Sequence, residues 1–98
     1  MDDATSDPVV RELRTEISDI DRTIVEAVNR RLELVARLKR HKDENDIPFL
    51  DPERERAMLE SLAKANRGPL SAEGLSELQA QLLDLTKREV ARDGNEAG

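Results

Sequence analysis

The chain has 98 residues and no cysteine, so disulfides, thiolate metal sites and thiol nucleophiles are excluded. Its net charge of −6 disfavours general nucleic-acid binding. Its single histidine, His41, rules out a metal site built from several histidines, and no apolar run approaches the roughly 20 residues that span a bilayer. Aromatic residues make up only 1% of the chain while Leu, Ala, Glu and Arg dominate, so the composition favours one all-α domain.

The first segment, residues 1–7, is polar and is predicted to be disordered. It begins with Met1, Asp2 and Asp3 and lacks the basic-then-apolar layout of a signal peptide. We therefore expect a cytoplasmic protein that has no membrane partner.

The first predicted element is a long helix from near Pro8 to about Asp43. Its apolar positions follow one another in steps of three and four over about eight turns. We call these positions the apolar seam: Val10, Leu13, Ile17, Ile20, Ile24, Ala27, Arg31, Leu34 and Leu38. Two short helices would leave a seam of this length half covered, so the pattern predicts pairing with a second long helix in an intertwined homodimer.

Two shorter helices are predicted after it. The residue before a proline avoids helical geometry, so the segment that leads to Pro48 should end the long helix. Asp51 is then predicted to be an N-cap, because Pro52 suits the first helical position.

The second helix should stop near Asn66-Arg67-Gly68-Pro69, where Gly68 suits a left-handed cap and Pro69 prevents continuation. Ser71 is predicted to cap the third helix, whose apolar positions extend to Val90. Residues 92–98 are predicted to be a disordered tail, which places the domain at residues 8–91.

Two basic residues of the long helix stand out. Arg31 occupies a seam position where the pattern calls for leucine, and a buried guanidinium is costly unless an anion pairs with it. The simpler interpretation is an arginine that extends across the core or meets an internal carboxylate. Lys42 lies eleven residues later, about 20° around the helix and about 16 Å along it, so both cations could bind one small dicarboxylate.

The surrounding basic run, residues 37–42, could instead be a patch for nucleic acid. It has no interleaved aromatic residues and the chain as a whole is acidic, so nucleic-acid binding is not favoured. His41, between two cations, is expected to be exposed and not an acid or base.

Further polar residues share faces with apolar ones. Glu55 lies on the same stripe as Met58, although a glutamate in a first turn also suits the helix dipole. Arg54 is mildly unfavourable at that helix end. Thr86 shares a face with Leu82, and it could simply bond its own backbone.

Arg14 flanks the seam seventeen residues before Arg31, about 25 Å away along the helix. The two cannot join around one small ligand within a chain. An antiparallel partner helix would bring its own Arg14 close to Arg31, so the predicted dimer would also complete a cationic pocket.

Together these residues resemble the all-α chorismate mutase family (the AroQ class) from about Val10 to Val90. The matching motifs are Leu13-Arg14-x-x-Ile17-x-x-Ile20-Asp21, Arg30-Arg31-x-x-Leu34-Val35, Lys42, Asp51-Pro52-x-Arg54-Glu55-Arg56, and Asn66-Arg67-Gly68-Pro69 before the last helix. Each motif alone is weak, whereas their order and spacing are specific.

The resemblance implies the rearrangement of chorismate to prephenate in aromatic amino-acid (shikimate-derived) biosynthesis, which needs no metal or other cofactor. It implies that Arg31 and a neighbouring subunit's Arg14 bind the two carboxylates of chorismate. Lys42 would hold a carboxylate and the ether oxygen of the breaking bond.

The remaining implied site residues lie on the two shorter helices. Glu55, with the backbone around Asp51, would hold the ring hydroxyl, and Arg54 would help to orient that loop. Thr86 falls where the family usually has a small, often hydroxylated residue. Val90 departs from the family, which commonly has a glutamine or glutamate there that hydrogen-bonds the ether oxygen.

Three alternatives remain open at this point. Glu55 could pair with an amine, as in 4-amino-4-deoxychorismate mutases, or the scaffold could serve an isochorismate-pyruvate lyase. The third alternative is a non-catalytic helical dimerisation module, which would be expected to carry leucine in place of Arg31.

Overall fold

A computed structural model describes residues 7–97 of the chain, and the side chains of residues 7–92. Its helices are α1 (Pro8–Glu44), α2 (Pro52–Ala65) and α3 (Ala72–Ala97), and residues 7–97 contain no strand. The prediction of an all-α chain with one long and two shorter helices is confirmed. The disorder expected for residues 1–6 and Gly98 lies outside the described residues.

The structure divides into two compact units, Met1–Glu33 and Leu34–Gly98. The described part of the first unit is the beginning of α1. Asp7 caps this helix, because its carboxylate accepts hydrogen bonds from the backbone N–H groups of Val9 and Val10 at 2.8 and 3.2 Å.

The apolar seam of the first unit is exposed in the single chain. Four of its residues are each more than half exposed: Leu13 at 52%, Ile17 at 56%, Ile20 at 59% and Ile24 at 53%. Regular apolar spacing without burial is typical of a helix face that packs on another molecule.

The second unit holds the end of α1, together with α2 and α3, and these last two helices pack against each other. Its buried side chains lie on α3 at steps of four, seven and four, which keep to one face of a helix: Leu75, Gln79, Thr86 and Val90.

A Schellman-type turn ends α1. Asp46 takes a left-handed conformation with φ 57°, and the N–H of Ile47 bonds to the carbonyl of Lys42 at 2.8 Å. The helix therefore ends in the segment that we expected. The cause is this turn and not Pro48, which restricts only the residue directly before it.

The caps of α2 agree with prediction at one end. Asp51 is the N-cap and Pro52 the first residue. At the other end the helix stops at Ala65, and its C-cap is Asn66, the first residue of the segment that we expected to end it. Gly68 is left-handed, with φ 78°, but it lies in the connecting turn, where its N–H bonds to the Asn66 side chain at 3.0 Å.

Ser71 caps α3 as predicted, because its Oγ accepts the N–H of Gly74 at 2.9 Å. The backbone of α3 is helical to Ala97, beyond Val90, so most of the tail that we expected to be disordered is helical. A helix that has already formed extends at little cost through a stretch without proline.

Candidate active site

Arg14 and Arg31 both lie on α1 in the first unit, seventeen residues apart, which corresponds to about 25 Å along the helix. Arg14 is exposed and Arg31 is half-buried. Within the first unit this spacing is too large for both side chains to bind the same small molecule.

Lys42 lies in the last turn of α1 and is half-buried. Its Nζ donates to the backbone carbonyl of Phe49 at 3.5 Å, a long and therefore weak hydrogen bond. It forms no ion pair with the part of the chain that the structure describes. Its charge therefore stays available to an anionic ligand.

A second lysine holds the same loop. The Nζ of Lys39 lies 5.8 Å from the centre of the Phe49 ring, at the outer limit of a cation–π contact, and pairs with Asp43 at 2.8 Å. The last turns of α1 thus contact the loop that leads to Asp51, so Lys42 and Asp51 border one short segment.

The first turn of α2 gathers three predicted site residues. Asp51 accepts the backbone N–H of Arg54 with its Oδ1 at 3.0 Å, and its backbone carbonyl accepts the N–H of Glu55 at 3.1 Å. The Arg54 side chain is exposed, whereas Glu55 is half-buried. The cap therefore fixes where Glu55 leaves the helix.

Lys87, a residue that the sequence analysis did not single out, lies next to Glu55. Its Nζ is 3.6 Å from the Glu55 Oε1, so the pair joins α3 to α2. A lysine on a helix is otherwise typical of a solvated face. The only signal in the sequence is its position directly after Thr86.

The α3 side of the candidate site is buried. Thr86 and Val90 are each 6% exposed. The hydroxyl of Thr86 donates to the carbonyl of Leu82 at 2.6 Å, which matches its simplest interpretation, a bond to its own backbone. Gln79, also 6% exposed, is a buried polar residue that the sequence analysis missed, although it lies four residues after Leu75.

The structure thus brings Asp51, Arg54 and Glu55 together at one helix end beside Lys87, with Lys42 at the other end of the preceding loop. The expected common face of Arg31 and Lys42 stays a prediction. Among the side chains of residues 7–92, no group of three or more His, Asp or Glu is placed to hold a metal ion. The described helices also include none that is both long and apolar enough to cross a membrane.

Residues 13–90 match the family model of chorismate mutase type II. The chain belongs to this family. The matched range contains all eight positions that the sequence analysis assigns to the site, from Arg14 to Val90.

A solved structure agrees with this assignment of chorismate mutase type II. A chorismate mutase from Thermus thermophilus (form I) superimposes with a TM-score of 0.76 at 30% identity, over 79% of this chain and 96% of that one. The T-protein of Haemophilus influenzae is 35% identical over 65 residues, or 65% of this chain. The chain spans 17% of the length of that curated relative.

Proposed function

We propose that this protein is a chorismate mutase, which converts chorismate to prephenate within one molecule. The observation that carries the proposal is the family match over residues 13–90, supported by similarity to almost the whole of a bacterial chorismate mutase. We place the reaction in aromatic amino-acid biosynthesis and in the cytoplasm. Neither a dimerisation module nor the other two substrates is favoured by these matches.

The reaction requires charged side chains that are correctly placed around the substrate, and it needs no nucleophile or base from the protein. An ether C–O bond breaks while a new C–C bond forms in the same molecule, and negative charge grows on the ether oxygen. Arg31 and the partner subunit's Arg14 bind the two carboxylates and hold the reactive conformer. Lys42 donates to the ether oxygen, where a fixed cation stabilises the transition state most.

The weak hydrogen bonding of the Lys42 ammonium group supports this role. Its hydrogen bond to the Phe49 carbonyl is 3.5 Å long, so turning the ammonium group toward an anion gives up little. The resulting charge-assisted bond is stronger than the one that is lost.

The ring hydroxyl of chorismate binds at the start of α2. The half-buried Glu55 carboxylate accepts a hydrogen bond from this hydroxyl, and the backbone near Asp51 completes the contact. The Asp51 cap holds the first turn, so the backbone of Glu55 is already in place when the substrate arrives.

A second copy of the chain supplies the missing cation. Arg14 lies about 25 Å from Arg31 on the same helix, and the seam between them is exposed. An antiparallel homodimer covers that seam and brings the partner subunit's Arg14 to Arg31. Light scattering across a range of protein concentrations tests this step, and a fully active monomer would contradict it.

The decisive assay incubates the purified protein separately with chorismate, 4-amino-4-deoxychorismate and isochorismate. We expect prephenate from chorismate at a rate well above the uncatalysed reaction. Boiled protein and an Arg31→Ala variant serve as controls. A rate no higher than that of the boiled sample would refute the proposal, and preferential use of another substrate would reassign it.

A further inference from the structure

Glu55 has a cationic neighbour before any substrate arrives. The Nζ of Lys87 is 3.6 Å from its Oε1, and the two side chains are 47% and 32% exposed, respectively. The distance is longer than a good hydrogen bond, so Lys87 acts on Glu55 mainly through its charge. The carboxylate oxygens therefore keep lone pairs that can accept a bond from a ligand.

This arrangement affects which ligands Glu55 can accept. A carboxylate without a cationic neighbour binds an ammonium group at least as well as it binds a hydroxyl, because the opposite charges attract. An ammonium group placed against Glu55 would also lie within a few ångströms of Lys87, and like charges at that distance repel. A neutral hydroxyl meets no such repulsion.

We propose that Lys87 is a specificity-determining residue that makes the site select a ring hydroxyl over a ring amine. The inference rests on the proposed function, because it assumes that Glu55 contacts the ring substituent at C4. It assigns to α3 a part in substrate choice that neither the helix pattern nor the family motifs indicate.

A purely structural role for Lys87 predicts something different. Ion pairs with this degree of exposure contribute little to folding stability. Removing the lysine charge should therefore leave the melting temperature almost unchanged and alter the preference between two ligands that differ only at C4. Binding preference is thus the informative measurement.

The experiment uses chorismate as substrate and 4-amino-4-deoxychorismate as competitor in one assay. Both compounds carry two carboxylates, so the general loss of attraction for a dianion cancels in the ratio of the inhibition constant to KM. In Lys87→Gln we expect this ratio to fall about fivefold, in favour of the amine, which is the effect of losing one partly exposed charge pair.

Two variants serve as controls. Lys87→Arg keeps the charge and should retain the ratio of the parent protein. Lys64→Gln removes the same charge from the exposed last turn of α2, nine residues and about 14 Å from Glu55 along the helix, and should also retain it. Circular dichroism and the melting temperature verify that each variant is folded. A further test variant, Lys87→Met, removes the charge of Lys87 with a second uncharged side chain.

Each outcome decides between the proposals. The inference is supported if the parent protein converts chorismate and the ratio falls in Lys87→Gln and Lys87→Met but not in Lys87→Arg or Lys64→Gln. Conversion with an unchanged ratio in Lys87→Gln and Lys87→Met overturns the inference and leaves the proposed function standing. Lack of conversion by the parent overturns the proposed function, and the inference with it.

Discussion

Two cations of α1, Arg31 and Lys42, differ in environment from Arg37, which lies between them in sequence. The first two are half-buried, whereas Arg37 is exposed. Partial burial reduces solvent screening, so the same unit charge attracts an anion more strongly there than at the surface. Environment as well as charge should therefore determine which cations of this helix act on the substrate.

Replacing either half-buried cation should abolish most turnover. We expect Arg31→Ala and Lys42→Ala each to lower kcat/KM by about 100-fold or more, as when one preorganised donor to developing charge is lost. Steady-state kinetics measure the effect and circular dichroism verifies the helices. Arg37→Ala is the matched control, and turnover near that of the parent in Arg31→Ala or Lys42→Ala would remove that residue from the mechanism.

Val90 offers a gain-of-function test. It is buried and has no hydrogen-bonding group, where the family commonly has glutamine or glutamate. We expect Val90→Gln to raise kcat by at least about tenfold, because a neutral donor to the ether oxygen lowers the barrier. Val90→Leu changes the volume without adding a donor and should give no gain. Equal rates in the two variants would mean that position 90 does not contact the ether oxygen.

The residues of the candidate site differ in how far the sequence could predict them. Arg31 breaks an apolar pattern, so its position alone draws attention. Asp51 and Glu55 follow from cap chemistry and from the family motif. Lys87 could not be predicted, because its pairing with Glu55 depends on how α2 and α3 pack, and one lysine on a helix looks like any other.

At the scale of the helices, beginnings could be predicted more closely than ends. Asp51 and Ser71 cap their helices as expected, because few side chains can accept the first free N–H groups. The ends depend on backbone conformation, which several residue types can adopt. Asp46 supplies the left-handed residue after α1, and α2 is capped by Asn66 and not by the left-handed Gly68.

The cap of α2 should contribute measurably to stability. Asp51→Ala leaves the N–H of Arg54 without its 3.0 Å partner, so we expect the free energy of unfolding to fall by about 1 kcal/mol. Asp51→Asn retains an acceptor and should stay close to the parent. Chemical denaturation of the three proteins measures the difference. Equal losses in the two variants would point to the charge of Asp51 and not to its hydrogen bond.

At the scale of the whole molecule, the proposed dimer makes each active site depend on both chains. Arg31 of one chain needs the partner subunit's Arg14, so a chain lacking Arg14 and a chain lacking Arg31 can complement each other. In a two-fold symmetric pair, each mixed dimer would contain one intact site and one doubly defective site.

Co-refolding equal amounts of Arg14→Ala and Arg31→Ala chains should therefore restore activity. Random pairing gives about one half mixed dimers with one intact site of two, so we expect about a quarter of the parent activity. Each variant refolded alone is the control. A co-refolded sample no more active than the average of the two separate variants would show that sites are not shared between chains.

The exposed isoleucines of α1 also have a kinetic consequence. If they are covered only when two chains interlock along their length, a subunit cannot leave without giving up much of what keeps it folded. Exchange between ready-made dimers would then be as slow as denaturation itself. Two populations of intact enzyme, simply combined in a tube, would keep their original partners for as long as the protein survives.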